Sequence, residues 1–246
     1  MFTVVCKNVQ FNNIQGIIFD KDGTLADSQQ FLLQLAQARA RAINEIIPGI
    51  EQQLLQAFGI KDHTLNPMGL MAVGSRLENE IASASLITLR GKSWFNSMAI
   101  ARQAFLEADK RIPDRADISP IFPEVKDLLQ SLSQRGLKLG ILSADSTLGV
   151  EAFIEKHQLS DYIQLAMGVD SPLTKPNPEL FRLACGNLGI PPQATLMVGD
   201  SPGDLAMAKE AQAAGTIAIT RDEQFTEHLK QGSIIINNLQ ELAILT

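Results

Sequence analysis

The chain of 246 residues has only two cysteines, Cys6 and Cys185. They form neither a C-x-x-C pair nor a disulfide framework, so a disulfide-stapled secreted domain is not expected. A reducing compartment is the default, and both thiols read as small core side chains. Long apolar runs are missing too. No uncharged stretch approaches the roughly 18 residues that cross a bilayer. The opening MFTVVCKNVQ lacks the apolar run and small-residue cleavage site of a signal peptide. A cytoplasmic protein without a membrane partner is expected. Positive charge is in deficit, with 21 Lys and Arg against 27 Asp and Glu and a net charge of -6. Nucleic-acid binders need a basic footprint, so no nucleic-acid partner is expected. A small anionic substrate stays compatible, because a local cationic pocket can sit on an acidic protein. His63, His157 and His228 show no metal-ligand spacing. Internal repeats and low-complexity tracts are absent.

What is present is an alternation of short apolar runs and helical patterns. The runs are Gly16–Phe19, Lys138–Leu142, Gln164–Val169, Thr195–Val198, Thr216–Ile219 and Ser233–Ile236. Each is too short for a helix, and most are rich in Val, Ile or Leu, as buried parallel strands are. Helical spacing marks Pro123–Gln134, Pro178–Leu188 and Asp204–Ala214, stopped by Gly136, Gly189 and Gly215. Strand–helix alternation implies an α/β fold, a Rossmann-like doubly wound parallel sheet. The first 15 residues add an expected strand pair ahead of it.

One region interrupts the alternation. From Asp27 to Asp117 there are helical periods and no convincing strand. Phe31, Leu32, Leu35, Ala38, Ala42, Ile43 and Ile46 form an apolar stripe that Pro48-Gly49 ends. Further helices are expected over Ile50–Phe58, Leu77–Leu86 and Ser93–Ala108. We therefore expect an all-helical domain, residues 27–117, inserted in a core made of residues 1–26 and 118–246. Asp114–Pro120, with Pro113 before it, reads as the return linker.

Ligands of open α/β sheets bind beyond the carboxyl ends of the strands. The expected strands end in Asp20-Lys21-Asp22-Gly23-Thr24, in Ser143-Ala144-Asp145 and in Gly199-Asp200-Ser201-Pro202-Gly203-Asp204. Lys175 lies in Thr174-Lys175-Pro176-Asn177-Pro178, just before a helix. Several carboxylates, a hydroxyl and a lysine thus converge on one sheet edge. Clustered carboxylates repel unless a cation is present, and an oxygen-rich set of this kind suits Mg²⁺. Lysine, hydroxyl and backbone N–H groups suit a phosphoryl group.

These four stretches, FDKDGTLADS, ILSAD, TKPNP and GDSPGD, stand in the order and spacing of the four motifs of the haloacid dehalogenase-like hydrolase superfamily. The sequence resembles that superfamily from about Gly16 onward. Its helical insertion after the first motif resembles the cap of the phosphoglycolate phosphatase and β-phosphoglucomutase branch. The resemblance implies a Mg²⁺-dependent phosphatase acting on a small phosphorylated metabolite. It implies that Asp20 attacks phosphorus and becomes an aspartyl-phosphate, and that Asp22 protonates the leaving alcohol and then activates water. It implies Mg²⁺ ligands from Asp20, the backbone carbonyl of Asp22, and Asp200. Ser143, the amide of Ala144 and Lys175 would hold the phosphate, with Thr24 and Asp204 in support. Two displacements need a nucleophile that cannot diffuse away and a group that both gives and takes a proton. Gly23 is expected to turn the chain so that both aspartates face one side.

Other readings stand beside this one. Taken singly, Asp20 and Asp22 are turn or cap residues, Lys175 a surface lysine, and Asp204 a helix N-terminal charge. A phosphomutase uses the same four motifs, with a sugar hydroxyl in place of water as acceptor. A non-catalytic phosphate-binding regulator is a third possibility. Gly199-Asp200-Ser201-Pro202-Gly203 also fits G-x-S-x-G, with Asp222 and His228 in serine-hydrolase order, but Pro202 lacks the N–H that the oxyanion hole requires. Leu86 stands where a P-loop before Arg90-Gly91-Lys92-Ser93 needs glycine. Ala72, after Met68-Gly69-Leu70-Met71, stands where phosphonoacetaldehyde hydrolases carry a Schiff-base lysine. Haloacid dehalogenases proper lack the counterpart of Asp22. Arg76, Arg90, Lys61 and Lys92 are candidates to meet a second anionic group of the substrate, or else solvated charges.

Overall fold

The structure is a computed structural model, and it describes residues 1–112, 115–170, 173–221 and 226–245. Two compact units emerge. One joins Met1–Asp27 to Pro120–Thr246, and the other is Ser28–Ser119.

The first unit opens with β1 (Phe2–Cys6), β2 (Val9–Ile14) and β3 (Gly16–Phe19). In the second unit follow α1 (Gln29–Ile46), α2 (Glu51–Phe58), β4 (Ile60–Lys61), β5 (Thr64–Leu65), α3 (Leu70–Val73), α4 (Arg76–Thr88), α5 (Trp94–Asp109) and α6 (Arg115–Ile118). The chain then resumes the first unit with α7 (Val125–Gln134), β6 (Lys138–Leu142), α8 (Thr147–Lys156), β7 (Leu165–Met167) and α9 (Pro178–Leu188). It ends with β8 (Thr195–Gly199), α10 (Pro202–Glu210), β9 (Gly215–Ile219), β10 (Ile234–Ile236) and β11 (Leu242–Leu245).

Six strands form a parallel sheet in the order β10-β9-β8-β3-β6-β7. Strand β3 is central. After it the chain winds outward through β6 and β7, then returns to β8 on the other side of β3 and winds out through β9 and β10. The switch point of this doubly wound order lies at β3, and ligands of such sheets bind there. Register places Phe19 beside Ile141 and Val198, so the loops after β3, β6 and β8 leave the sheet side by side.

The pleat sends alternate side chains to opposite faces, and each face has its own core. Ile17 and Phe19 pack with Leu139, Ile141, Leu196 and Val198 under α7 and α8. Ile18 packs with Met197 against Leu180, Phe181, Leu188 and Met207 of α9 and α10. Each fully buried Ile or Phe contributes roughly 1.5–3 kcal/mol. The helical unit has its own core around Phe31, Ile43, Leu54, Phe58, Ile87 and Phe105. Among the described residues no helix is long and apolar enough to cross a membrane.

Several details differ from the sequence reading. The strand pair of the first 15 residues joins β11 in a separate three-stranded sheet, β11-β1-β2. Helix α8 was not foreseen, because TLGVEAFIEK mixes glycine with β-branched residues; burial of Val150, Phe153 and Ile154 decides it. Helix α10 stops at Glu210, ahead of Gly215, where Gln212 takes a left-handed φ of 62°. The helical unit also carries the two-stranded pair β4–β5. Pro113 and Asp114 of the expected linker lie outside the described residues.

Candidate active site

Asp20 follows β3 directly and is 6% exposed. Its N–H donates to the Val198 carbonyl at 2.8 Å, which extends the ladder by one residue. The chain then turns, and the Leu25 and Ala26 N–H groups both donate to the Lys21 carbonyl, at 2.9 and 2.8 Å. Gly23 makes this possible with φ of +84°, a conformation that glycine adopts without penalty. A Cβ at Gly23 would lie 1.8 Å from Asp200 Oδ2, so a bare Cα lets the turn lie against that carboxylate. Thr24 is fully buried in the turn, and its carbonyl accepts from Arg221 Nη2 at 2.9 Å.

Strand β8 ends at Gly199, and Asp200 and Ser201 lead into α10. The Ser201 hydroxyl donates to Asp204 Oδ2 at 2.7 Å, and the Asp204 N–H donates back to Ser201 Oγ at 3.2 Å. This is a capping box. It assigns Ser201 to the helix start, with its hydroxyl hydrogen-bonded to Asp204 rather than poised as a nucleophile; Asp222 lies outside the described residues. Gly199 is needed for the same packing, since a Cβ there would meet Asp204 Cβ at 2.6 Å.

Lys175 reaches this cluster from its loop before α9. Its ammonium lies 2.5 Å from Asp20 Oδ1 and 2.6 Å from Asp204 Oδ1. Ligand oxygens of Asp20, Asp200 and Asp204 lie within 4.8 Å of one another. The electrostatics follow from that crowding. Burial pushes the Asp20 carboxyl up to about 7, with Asp204 and Asp22 adding to the rise and Lys175 opposing it. Asp200 is raised well above the ordinary carboxylate range, first by burial and then by Asp20 and Asp204. Burial disfavours the charged Lys175, but Asp20 and Asp204 outweigh it and hold the ammonium above its ordinary range.

After β6, Ser143 is fully buried and its N–H donates to the Met167 carbonyl at 3.0 Å. Its hydroxyl lies 3.5 Å from Asp22 Oδ2 and accepts the Asp145 N–H at 3.2 Å. Ala144 follows on the exposed side of the loop. The structure therefore draws Asp20, Lys175, Asp200 and Asp204 into one group and links Asp22 to Ser143.

One member escaped the sequence reading. Lys21 is 1% exposed, with its ammonium 3.1 Å from both Asp22 Oδ1 and Asp145 Oδ2. The available signal was a lysine between two aspartates straight after a fully apolar strand. Of the candidate cations in the helical unit, Arg76 pairs with Glu80 at 3.0 Å and Asp109 at 2.5 Å. Arg90 donates to the Gly49 carbonyl and Gln53 Oε1, each at 2.9 Å, while Lys61 and Lys92 are exposed.

A doubly wound α/β sheet with a carboxylate cluster and a buried lysine at its switch point has the layout of an enzyme site for an anionic ligand. The haloacid dehalogenase-like hydrolase family model matches residues 14–212. The chain belongs to that family. It is 29% identical over 226 residues to the phosphoglycolate phosphatase of Yersinia pestis, covering 89% of this chain and 86% of that protein. It is 30% identical over 202 residues to the phosphoglycolate phosphatase of Vibrio vulnificus strain YJ016, covering 82% of each. The crystal structure of β-phosphoglucomutase from Clostridium difficile shares the fold, with a TM-score of 0.62 at 17% identity over 92% of this chain and 91% of that one.

Proposed function

We propose that this protein is a Mg²⁺-dependent phosphatase that hydrolyses a small phosphorylated metabolite through an aspartyl-phosphate on Asp20. The observation that carries the reading is the group of Asp20, Asp200 and Asp204 carboxylates within 4.8 Å at the switch point, with the Lys175 ammonium 2.5 Å from Asp20. Raised carboxyl groups at Asp20 and Asp200 fit a place built for a cation, because a divalent ion removes the mutual repulsion. Asp20, Asp200 and the backbone carbonyl of Asp22 would hold Mg²⁺, which when bound neutralises charge on the phosphoryl oxygens.

The chain's own groups then divide the work. An Asp20 carboxylate oxygen bonds to phosphorus while the phosphorus–ester oxygen bond breaks, and Asp22 gives its proton to the departing alcohol. Asp22 next takes a proton from water, whose oxygen bonds to phosphorus and releases the Asp20 carboxylate with inorganic phosphate. The Lys175 ammonium, the Ser143 hydroxyl and the Ala144 N–H balance the phosphoryl oxygens. Asp204 holds Lys175 in place, and Thr24 belongs to the turn that carries Asp22. Substrate choice is assigned to the helical unit, which resembles a cap and enters the chain directly after the nucleophile's strand.

Relatives named phosphoglycolate phosphatase support phosphoglycolate as the first substrate to try. A small anionic metabolite also accords with the cytoplasmic setting expected from the sequence. The purified protein, given Mg²⁺ and either p-nitrophenyl phosphate or phosphoglycolate, is expected to release inorganic phosphate, to stop with EDTA and to recover on adding Mg²⁺. Full turnover after rigorous metal removal defeats the cation assignment. Transfer of phosphate to a sugar hydroxyl without release of inorganic phosphate identifies a mutase. Silence on a broad panel of phosphate esters points to a phosphate-binding regulator.

A further inference from the structure

We propose that Lys21 is a positioning residue that fixes the carboxylate of Asp22 to the loop carrying Ser143. The proposal rests on the reading of Asp22 as proton donor and acceptor. A lysine this deeply buried, at 1% exposure, needs anionic partners. Lys21 has two at equal distance, Asp22 Oδ1 and Asp145 Oδ2, each 3.1 Å from its ammonium. The face of Phe153 lies 5.6 Å from the same nitrogen and closes the apolar side.

These contacts form a ring. Lys21 holds one oxygen of Asp22, and the Ser143 hydroxyl approaches the other at 3.5 Å. The Asp145 N–H donates to Ser143 Oγ at 3.2 Å, and the Asp145 carboxylate returns to Lys21. Asp145 is itself pinned, since its Oδ1 accepts the Ser146 N–H at 2.8 Å where α8 begins. A carboxylate met at each oxygen by a different donor is restricted about its side-chain bonds, most firmly here through the shorter contact to Lys21. That matters for a proton carrier, which acts only within hydrogen-bond reach of the leaving oxygen. The ring also couples the phosphate-holding hydroxyl to the proton carrier, so both move with one loop.

The discriminating experiment compares Lys21→Met with wild type on two esters. Phenyl phosphate has a poor leaving group and depends on Asp22 for its proton. p-Nitrophenyl phosphate has a good one and depends on it little. We expect kcat/KM on phenyl phosphate to fall about 10–100-fold, with a far smaller loss on p-nitrophenyl phosphate. We also expect Lys21→Met to add almost nothing to the loss of Asp22→Asn in the double variant. Equal losses on the two esters, or additive losses in the double variant, overturn the proposal. Should Lys21→Met fail to fold, Asp145→Asn removes the other anion and is expected to show the same ester preference. Equal losses there overturn the proposal as well. Crystal structures provide a readout independent of turnover: Asp22 should leave its place beside Ser143 in Lys21→Met, and an unmoved carboxylate overturns the proposal. A wild-type protein inactive on both esters defeats the phosphatase reading instead, and the crystal comparison still decides the tether.

Discussion

The strand ends of the sheet and the helical unit both withdraw charged side chains from water, on opposite terms. In the helical unit Arg39 is 6% exposed, faces Asp109 at 3.3 Å and lies 4.3 Å over the Phe105 ring. Arg76 joins Asp109 to Glu80, and Arg102 reaches Glu80 at 3.4 Å. Burial pushes the Arg39 guanidinium down to about 10, with Asp109 opposing, so it stays charged at neutral pH. Three guanidinium groups meet two carboxylates, and the local charge is nearly spent. At the strand ends, among the described residues, Asp20, Asp22, Asp145, Asp200 and Asp204 gather around the ammonium groups of Lys21 and Lys175. A balanced network serves packing, whereas an unbalanced one of this size asks for a cation and a ligand.

The sharpest way to break that contrast is Asp20→Asn. If the strand-end surplus serves chemistry, the variant loses turnover by a factor of at least about 10⁴ and traps no acid-labile phosphoenzyme. Radiolabelled or mass-shifted phosphate on the protein provides the check, and substantial residual activity rejects the nucleophile. Next in size, Asp109→Ala should lower stability by about 2 kcal/mol, short of the value for a fully buried pair because Asp109 is 33% exposed. Urea unfolding measures it. Turnover of p-nitrophenyl phosphate well below the unfolding midpoint should stay as in wild type; a specific loss of turnover without a loss of stability would make the helical network functional after all.

A third effect is a slope with pH in metal-free protein. Asp20 has its folded value near 7 against an ordinary value of 3.8. Below the ordinary value the group is protonated in both states. Between the two values the folded state keeps a proton that the unfolded chain has lost, so the stabilising contribution fades as pH rises through about 7. Melting temperatures with EDTA from pH 4 to 8 should therefore fall more steeply for wild type than for Asp20→Asn. Parallel curves would show that Asp20 ionises freely.

Legibility followed the range of the forces. Strand β6 and helix α9 match their expected bounds, because an apolar run bounds the first and Asn177-Pro178 with Gly189 caps the second. Helix α8 was hidden by weak propensity and settled by burial. The pairing of β1 with β11 joins opposite ends of the chain, and no local pattern announces it. In the site, Asp20, Asp200 and Lys175 were legible from strand ends and loop order. Lys21 was not, since its burial depends on Asp145 and Phe153, far along the chain.

By itself the sequence determined the alternation of strands and helices and the carboxylates at strand ends, because residue spacing and turn chemistry act over a few positions. Only the tertiary structure decided which carboxylates share a site, which lysine neutralises which, and that Lys21 points inward. Those outcomes depend on distances between loops, and a charge removed from water is governed by whatever neighbour the fold sets within a few ångströms of it.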